Sequence, residues 1–320
     1  MKLVVTGATG LLGREAALSA IRRGHQVIAI GRSKEPVIPG VTRALRMNLE
    51  DFTQLSSLML EEFPEAVVNC AALATVDGCE REPDLARVLN TELPVRLAEL
   101  AFHVGAKLVH VSTDMVFDGV SGRYGHTSSP SPLSCYGRTK AAGEVGALRA
   151  GREHAAVIRT TLINGNSVEG GKGLHERMFR SWMKGEPLTL FTDEVRQPVG
   201  LSNLADTLVE LCERPGLSGV YHWAGADALS RHEIGLRICR HMGLDPRLVV
   251  AAESASFASA VPRPRDLSLS LVPLAGKLKT PVQTFEEQLS ELRVPRGCEA
   301  WYEAQTGRKV VRRLEKGIDF

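Results

Sequence analysis

Residues 2–13 read KLVVTGATGLLG, an apolar β-branched run that passes directly into three glycines, Gly7, Gly10 and Gly13, spaced GxxGxxG. The segment LLGREAALSAIRRG, residues 11–24, follows with helical periodicity. Glycines at these points allow a tight strand-to-helix turn, close approach of backbone to a pyrophosphate, and close packing of helix on strand. The helix N-terminus adds free amides and partial positive charge. A glycine triplet alone is weak evidence. One that leaves a buried strand and opens a helix points to a bound dinucleotide, lined by Gly7, Thr9, Gly10, Leu11, Leu12 and Gly13.

The pattern extends outward from this turn. The runs QVIAI (26–30), RALRM (43–47), AVVNC (66–70), KLVHV (107–111) and AAVIR (155–159) alternate with helix-period segments near 11–23, 51–62, 84–103 and 136–149. Parallel neighbours need crossover connections, so this alternation predicts an α/β, Rossmann-type, doubly wound parallel sheet. Beyond residue 160 the rhythm breaks into a glycine-rich loop NGNSVEGGKG (164–173), a helix near 174–184, a strand near 188–191, a helix near 203–213, a strand GVYHWAG (219–225) and a helix near 230–242. Residues 251–266 read as loop. The expected organisation is a cofactor-binding domain over 1–160, to which a strand and helix from about 196–224 return. A smaller C-terminal substrate-binding lobe over 161–293 closes over the carboxyl ends of the strands, where ligands of such folds bind. Residues 294–320 form a C-terminal extension whose basic stretch GRKVVRRLEKG (307–317) is read as a solvated helix face or tail.

Composition removes several function classes. With 43% hydrophobic and 24% charged residues the chain is globular, and a net charge of +2 provides no global field for nucleic acid or a membrane surface. Cys70, Cys79, Cys135, Cys212, Cys239 and Cys298 are scattered without a CxxC pair, the usage of a reduced protein with neither a disulfide framework nor a zinc site. HEIGL lacks the second histidine of a zinc motif, and no metal is expected. The N-terminal apolar run is too short for a signal peptide, and the expected location is the cytoplasm. Trp182, Trp223 and Trp301 read as packing residues, with Trp182 in a segment that could cap a substrate.

The second run ends AIGRS, so Arg32 and Ser33 stand where an NAD-binding protein usually offers a carboxylate to the ribose 2′-hydroxyl. A guanidinium suits a 2′-phosphate, which favours NADP(H) over NAD(H). Asn48 and Leu49, after the third run, could border the adenine.

In SPLSCYGRTKAAGE, residues 131–144, Tyr136 and Lys140 lie four positions apart at the start of a helix and therefore on one face. A lysine ammonium there would favour the phenolate and bring the tyrosine toward general acid/base work near neutral pH.

TGATGLLG, VVNCAALATVDGCEREPDLARVLN, HVSTDMVFDG, SPLSCYGRTKAAGE and RPRDLSLS, in that order from residue 6 to 270, resemble the extended short-chain dehydrogenase/reductases, and within them the dTDP-4-dehydrorhamnose reductase-like family. The resemblance implies an NADPH-dependent reductase acting on a keto group of a nucleotide-linked deoxysugar, with a possible homodimer. It implies that Thr113 hydrogen-bonds the substrate oxygen, Tyr136 transfers the proton, and Lys140 holds the nicotinamide ribose and lowers the tyrosine pKa. It places Cys70, Ala71 and Ala72 along the cofactor, and gives Asn90 a structural or water-relay role.

The chain also departs from its relatives. Met115 replaces a common tyrosine in STDMVF, Ala74 a common threonine, and Asn203 a common aspartate. The first two remove polar groups associated with sugar contact, so the substrate is expected to differ. Ala74, Val76, Met115 and Arg196 are the substrate-side candidates. A non-catalytic NADP-binding subunit resembling the methionine adenosyltransferase β subunit is the alternative. An epimerase or dehydratase is disfavoured because Asp114 is followed by Met115 rather than glutamate.

Overall fold

A computed structural model describes residues 1–257 and 262–310. Strands β1 (Lys2–Thr6), β2 (Gln26–Gly31), β3 (Arg43–Arg46), β4 (Ala66–Asn69), β5 (Lys107–Thr113) and β6 (Ala155–Thr160) alternate with helices α1 (Leu11–Arg22), α2 (Phe52–Glu62), α3 (Val76–Arg81), α4 (Pro83–Arg87), α5 (Leu93–Val104) and α6 (Cys135–Gly151). Then follow β7 (Ile163–Asn164), α7 (Leu174–Trp182), β8 (Leu188–Phe191), β9 (Val195–Arg196), β10 (Val199–Gly200), α8 (Leu201–Cys212), β11 (Gly219–His222), β12 (Leu229–Ser230), α9 (Arg231–His241), β13 (Val249–Ala252), α10 (Phe285–Ser290) and α11 (Glu299–Thr306).

Seven strands form one parallel sheet in the order β11-β6-β5-β4-β1-β2-β3. Strands β1, β4 and β6 are near-continuous Val, Ile, Leu and Ala runs because both sheet faces are covered. On one face the small residues Ala16, Ala17 and Ala20 of α1 pack with Leu204 and Leu208 of α8. On the other, Leu55 of α2 and Leu93 and Leu97 of α5 meet Val4 and Val67. The strand order reverses between β1 and β4, and the crevice beyond their carboxyl ends is where a doubly wound sheet binds its ligand.

Asn203 is explained by its position on α8. Its Oδ1 accepts from Trp223 Nε1 at 2.9 Å while its Nδ2 donates to the Pro281 carbonyl at 2.7 Å. An aspartate could accept the first bond but not donate the second.

The single helix expected over 84–103 is broken into α4, a π-helical turn at Val88–Glu92, and α5. The wider turn turns the Asn90 side chain toward the residue 73 loop, where it accepts from Leu73 N–H at 2.9 Å and donates to the Leu73 carbonyl at 3.1 Å. It also donates to Thr139 Oγ1, so Asn90 ties the residue 73 loop to α6. In the region read as loop, β13 supplies a strand parallel to β8, and residues 258–261 lie outside the described residues.

A second core joins α7, α9, α10 and α11 through Phe179, Trp182, Ile238, Phe285 and Tyr302. Trp182 is buried there and donates from Nε1 to the Leu248 carbonyl at 3.0 Å, so it packs rather than caps a substrate. The start of the C-terminal extension joins this core: Trp301 and Val310 pack on it, and Tyr302 donates its hydroxyl to the Met242 carbonyl at 2.9 Å. In the basic stretch read as solvated, Gly307, Arg308 and Lys309 are exposed. The remainder of the extension lies outside the described residues. Replacing Tyr302 by Ala removes a buried ring and a hydrogen bond, with an expected cost of about 3 kcal/mol. Denaturant unfolding checks this, and an unchanged midpoint would return the segment to the role of a tail.

Candidate active site

The glycine turn is built by close backbone approach. Gly7 has φ +67°, and a Cβ there would lie 2.8 Å from Ala71 N and 2.9 Å from the Cys70 carbonyl oxygen. Glycine is thus required on both conformational and steric grounds. A Cβ on Gly13 would collide with the Gly7 carbonyl, so α1 can start where it does only with glycine there. Gly10 N–H donates to the Gly7 carbonyl at 2.8 Å and is the N-cap of α1, with no side chain on the first-turn amides. Those amides border a cavity of about 350 Å³ lined by Thr9, Gly10, Leu11, Arg14, Lys34 and Lys172, among others.

The glycine-rich loop after β7 is a strap across this cavity. Glu176 gathers it, its carboxylate accepting from Ser167, Gly171 and Gly173 N–H groups at 2.6, 2.7 and 2.7 Å. Burial works against the charge of Glu176, but the bonds from Ser167 and Gly173 outweigh it and hold the carboxyl below its usual range. Lys172 Nζ donates to the Thr9 carbonyl at 3.0 Å, and Lys34 pairs with Glu169 at 3.1 Å.

Several cofactor residues expected from sequence are placed differently. Leu12 and Leu49 bury their side chains in the apolar layers on the two faces of the large sheet, so only their backbones could serve a ligand. Arg32, Ser33 and Asn48 are exposed, and the cavity takes its cation beyond β2 from Lys34 rather than Arg32. The strand-to-loop turn explains this. A Cβ on Gly31 would collide with the Lys34 carbonyl and lie 2.7 Å from Thr9 Cγ2, so the chain folds back there and returns Lys34 to the rim. The glycine at the end of β2 was the available sequence signal.

Thr113 ends β5 and caps the following turn, accepting from Met115 N–H at 3.1 Å and donating to Asp114 Oδ1 at 3.0 Å. Ser134 caps α6 by accepting from Gly137 N–H at 3.1 Å, which fixes Tyr136 in the first turn. Gly137 is a glycine because a Cβ would strike the Met115 carbonyl, and through that close approach Thr113 and Tyr136 come together. The Thr113 hydroxyl lies near enough to the phenol to influence its proton affinity.

The expectation that Lys140 depresses the Tyr136 pKa fails in this arrangement. Burial dominates and holds the phenol above its ordinary range; the nearby Thr113 hydroxyl opposes it, and Asp114 and Cys79 push it further up. The Lys140 amine is turned away, donating to the Val111 carbonyl at 2.6 Å and meeting His110 Nε2 at 3.2 Å. Burial brings Lys140 itself down to about 8, against the attraction of Glu144, Cys70 and Cys79.

Asp114 was read only as lacking a glutamate neighbour. It is buried beside Thr113, and burial lifts its carboxyl to about 6, more than Arg196, the Thr113 hydrogen bond and Arg231 together hold it down. Arg196 is buried among the Val195, Pro264 and Arg265 carbonyls and Glu194. Glu194, 1% exposed, faces three guanidiniums: Arg196 at 3.4 Å, Arg231 at 3.5 Å and Arg263 at 3.8 Å. Arg231 also lines, with Arg177, Leu162, Met178 and Ile234, a second cavity of about 190 Å³. Met115 stands half-buried next to Asp114, Val76 opens α3 and Ala74 is exposed. Among the described residues no group of histidine, cysteine and acidic side chains could hold a metal ion, and no helix is long and apolar enough to cross a membrane.

Comparison with known proteins places this geometry. A protein of Haloferax volcanii described as a probable low-salt glycan biosynthesis reductase is 31% identical over 91% of this chain and 97% of its own length. The methionine adenosyltransferase 2 subunit beta of Xenopus laevis is 31% identical over 82% of this chain and 78% of its own. The crystal structure of a dTDP-4-dehydrorhamnose reductase from Clostridium acetobutylicum superposes with a TM-score of 0.78 at 27% identity, covering 91% of this chain and 98% of that one. The family described as RmlD substrate binding domain matches residues 1–294, and the chain belongs to that family.

Proposed function

We propose that the protein is an NADPH-dependent reductase of a keto group on a nucleotide-linked sugar. The observation that carries the proposal is the convergence of Thr113 and Tyr136 at the carboxyl end of β5, on the crevice that also holds the uncapped glycine turn. The turn fits a dinucleotide: Gly7 and Gly13 let the turn pack tightly against β4 and the start of α1, where any Cβ would strike backbone, and the first amides of α1 have no side-chain partner. Gly7, Gly10, Leu11 and the backbone at Cys70 and Ala71 would hold such a cofactor, and Ala72 follows on the same stretch. Its nicotinamide supplies hydride to a carbonyl carbon.

The chain's own residues handle the oxygen. Tyr136 donates its proton to the alkoxide as that charge develops, and Thr113 supplies a second hydrogen bond at the same point. A phenol kept above its ordinary pKa is protonated at neutral pH, the state needed to act as the acid in reduction. Arg196 and Arg231 influence Asp114, and Arg231 shares the second cavity with Arg177, so positive charge runs from the reacting centre into an apolar pocket. That arrangement suits a substrate whose reacting sugar carries an anionic, partly apolar handle, as a nucleoside diphosphate does. Met115 and Ala74 leave the sugar-facing wall less polar than in rhamnose-forming relatives, which supports a different sugar.

Preference for NADP(H) rests on Lys34 and Arg14 at the cavity rim, with Arg32 nearby, and on the lack of a carboxylate directly after β2. A second reading is favoured by the match to the methionine adenosyltransferase β subunit: a cofactor-binding regulatory protein, which would bind NADPH without turnover and form a stoichiometric complex with methionine adenosyltransferase on size-exclusion chromatography.

With a panel of nucleotide-linked keto sugars, Tyr136→Phe should lower kcat by about 10²- to 10⁴-fold and leave the NADPH Kd within about twofold. Unchanged turnover would remove Tyr136 as the proton donor. Lys34→Ala should weaken NADPH binding by about tenfold, roughly one charge-assisted contact, without altering NADH binding. Fluorescence titration of the two cofactors checks this, and equal losses for both would place the 2′-phosphate elsewhere.

A further inference from the structure

Four buried side chains form one hydrogen-bonded line across the sheet. Thr6, Asn69 and His110 are fully buried and Lys140 is 2% exposed. Thr6 Oγ1 donates to Asn69 Oδ1 at 2.6 Å, Asn69 Nδ2 meets His110 Nδ1 at 3.0 Å, and His110 Nε2 meets Lys140 Nζ at 3.2 Å. The line starts at the last residue before the glycine turn and ends at the lysine of the catalytic set, crossing β1, β4 and β5 to α6.

The polarity of the line follows from one backbone group. Ala71 N–H donates to Asn69 Oδ1 at 3.2 Å, and a backbone N–H can only donate. The oxygen of the Asn69 amide must therefore face Ala71 and Thr6, and its nitrogen must face His110. His110 Nδ1 is thus an acceptor. Burial and the neighbouring Lys140 both disfavour an imidazolium, so the single ring proton lies on Nε2. That N–H points at Lys140 Nζ. An ammonium in this place would oppose donor to donor, whereas an amine would accept.

We propose that Thr6, Asn69 and His110 lock the His110 imidazole in its Nε2–H tautomer and thereby make Lys140 a titrating amine rather than a permanent cation. His110 is a positioning residue that acts through Lys140. The groups facing Lys140 permit this. Glu144, one turn along α6, is occupied by a bidentate Arg159 and by Ser112. The Cys70 thiol beyond β4 and the Cys79 thiol on α3 are pushed up by burial to about 12 and 11 and remain neutral. The Val111 carbonyl is the near neutral acceptor. When Lys140 gives a proton to solvent water one N–H bond breaks, a remaining N–H stays on the Val111 carbonyl, and the amine turns its lone pair to accept the His110 Nε2–H bond.

The tautomer and the titration are properties of the protein without any ligand, while their consequence for turnover rests on the reductase reading. The test uses the full chain with ¹⁵N-labelled histidine and ¹³C-labelled lysine, with Lys140→Met to assign the resonance. His110 should appear as the neutral Nε2–H tautomer throughout pH 6–9, and Lys140 should titrate near 8. His110→Gln, which can turn a carbonyl oxygen toward Nζ, should raise the Lys140 midpoint by about one unit or more. Asn69→Ala, which frees the imidazole to exchange tautomers, should move it the same way. If the enzyme turns over, the basic limb of its pH profile should shift with that midpoint. An Nδ1–H tautomer, a charged imidazole, a wild-type midpoint near 10.4, or a midpoint unmoved in either variant would each overturn the proposal. A normal titration result without turnover on any substrate would contradict the reductase reading alone.

Discussion

The rest of the structure depends on the close approach of the ends of β1 and β4. Gly7 lies against the backbone of Cys70 and Ala71 with no room for a Cβ, and the contact is continued inward by the hydrogen bond from Thr6 to Asn69. These two strands flank the point where the sheet order reverses, so the crevice that a dinucleotide requires exists only if they meet this closely. The same residues that open the cofactor turn also start the buried line that reaches Lys140. The cleft and the buried line to Lys140 are therefore built on one set of contacts.

Desolvation then decides the electrostatics. The site keeps Tyr136 protonated, lifts Asp114 and lowers Lys140, each mainly through burial and against nearby opposite charges. Charge that is retained is heavily partnered. Glu144 and Arg159 form a buried pair, and Glu176 is held by three backbone amides. A lysine that depresses its neighbouring tyrosine by proximity alone is absent, because the amine is committed to Val111 and His110.

Much of the fold was legible because parallel strands buried on both faces read as apolar runs and each crossover helix carries its own period. The glycine turn and the Tyr136–Lys140 pair could be proposed from local spacing, whereas Thr113 entered only through the family resemblance. What was not legible depended on contacts between distant segments. Lys34 reaches the cavity in place of Arg32 through the fold-back at Gly31, and Asp114 feels the charge of Arg196 only because the fold brings β9 near the end of β5. His110 and Asn69 are single polar residues inside apolar strands, and only the sheet register, which pairs Asn69 with His110, aligns them. The packing of Trp301, Tyr302 and Val310 was not legible because charged residues hide their spacing, and the core they meet draws on segments as distant as α7 and as near as α10.

The central claim is that this crevice performs hydride transfer and is more than a cofactor-binding surface. Its most direct test is to incubate the protein with NADPH deuterated on the nicotinamide C4 and a nucleotide-linked keto sugar, then locate the label by NMR. The account predicts one deuterium on the new carbinol carbon of the sugar, with stoichiometric formation of NADP. Retention of all the label in bound cofactor, with no reduced sugar from any keto sugar tested, would contradict it and leave a cofactor-binding subunit as the function of this chain.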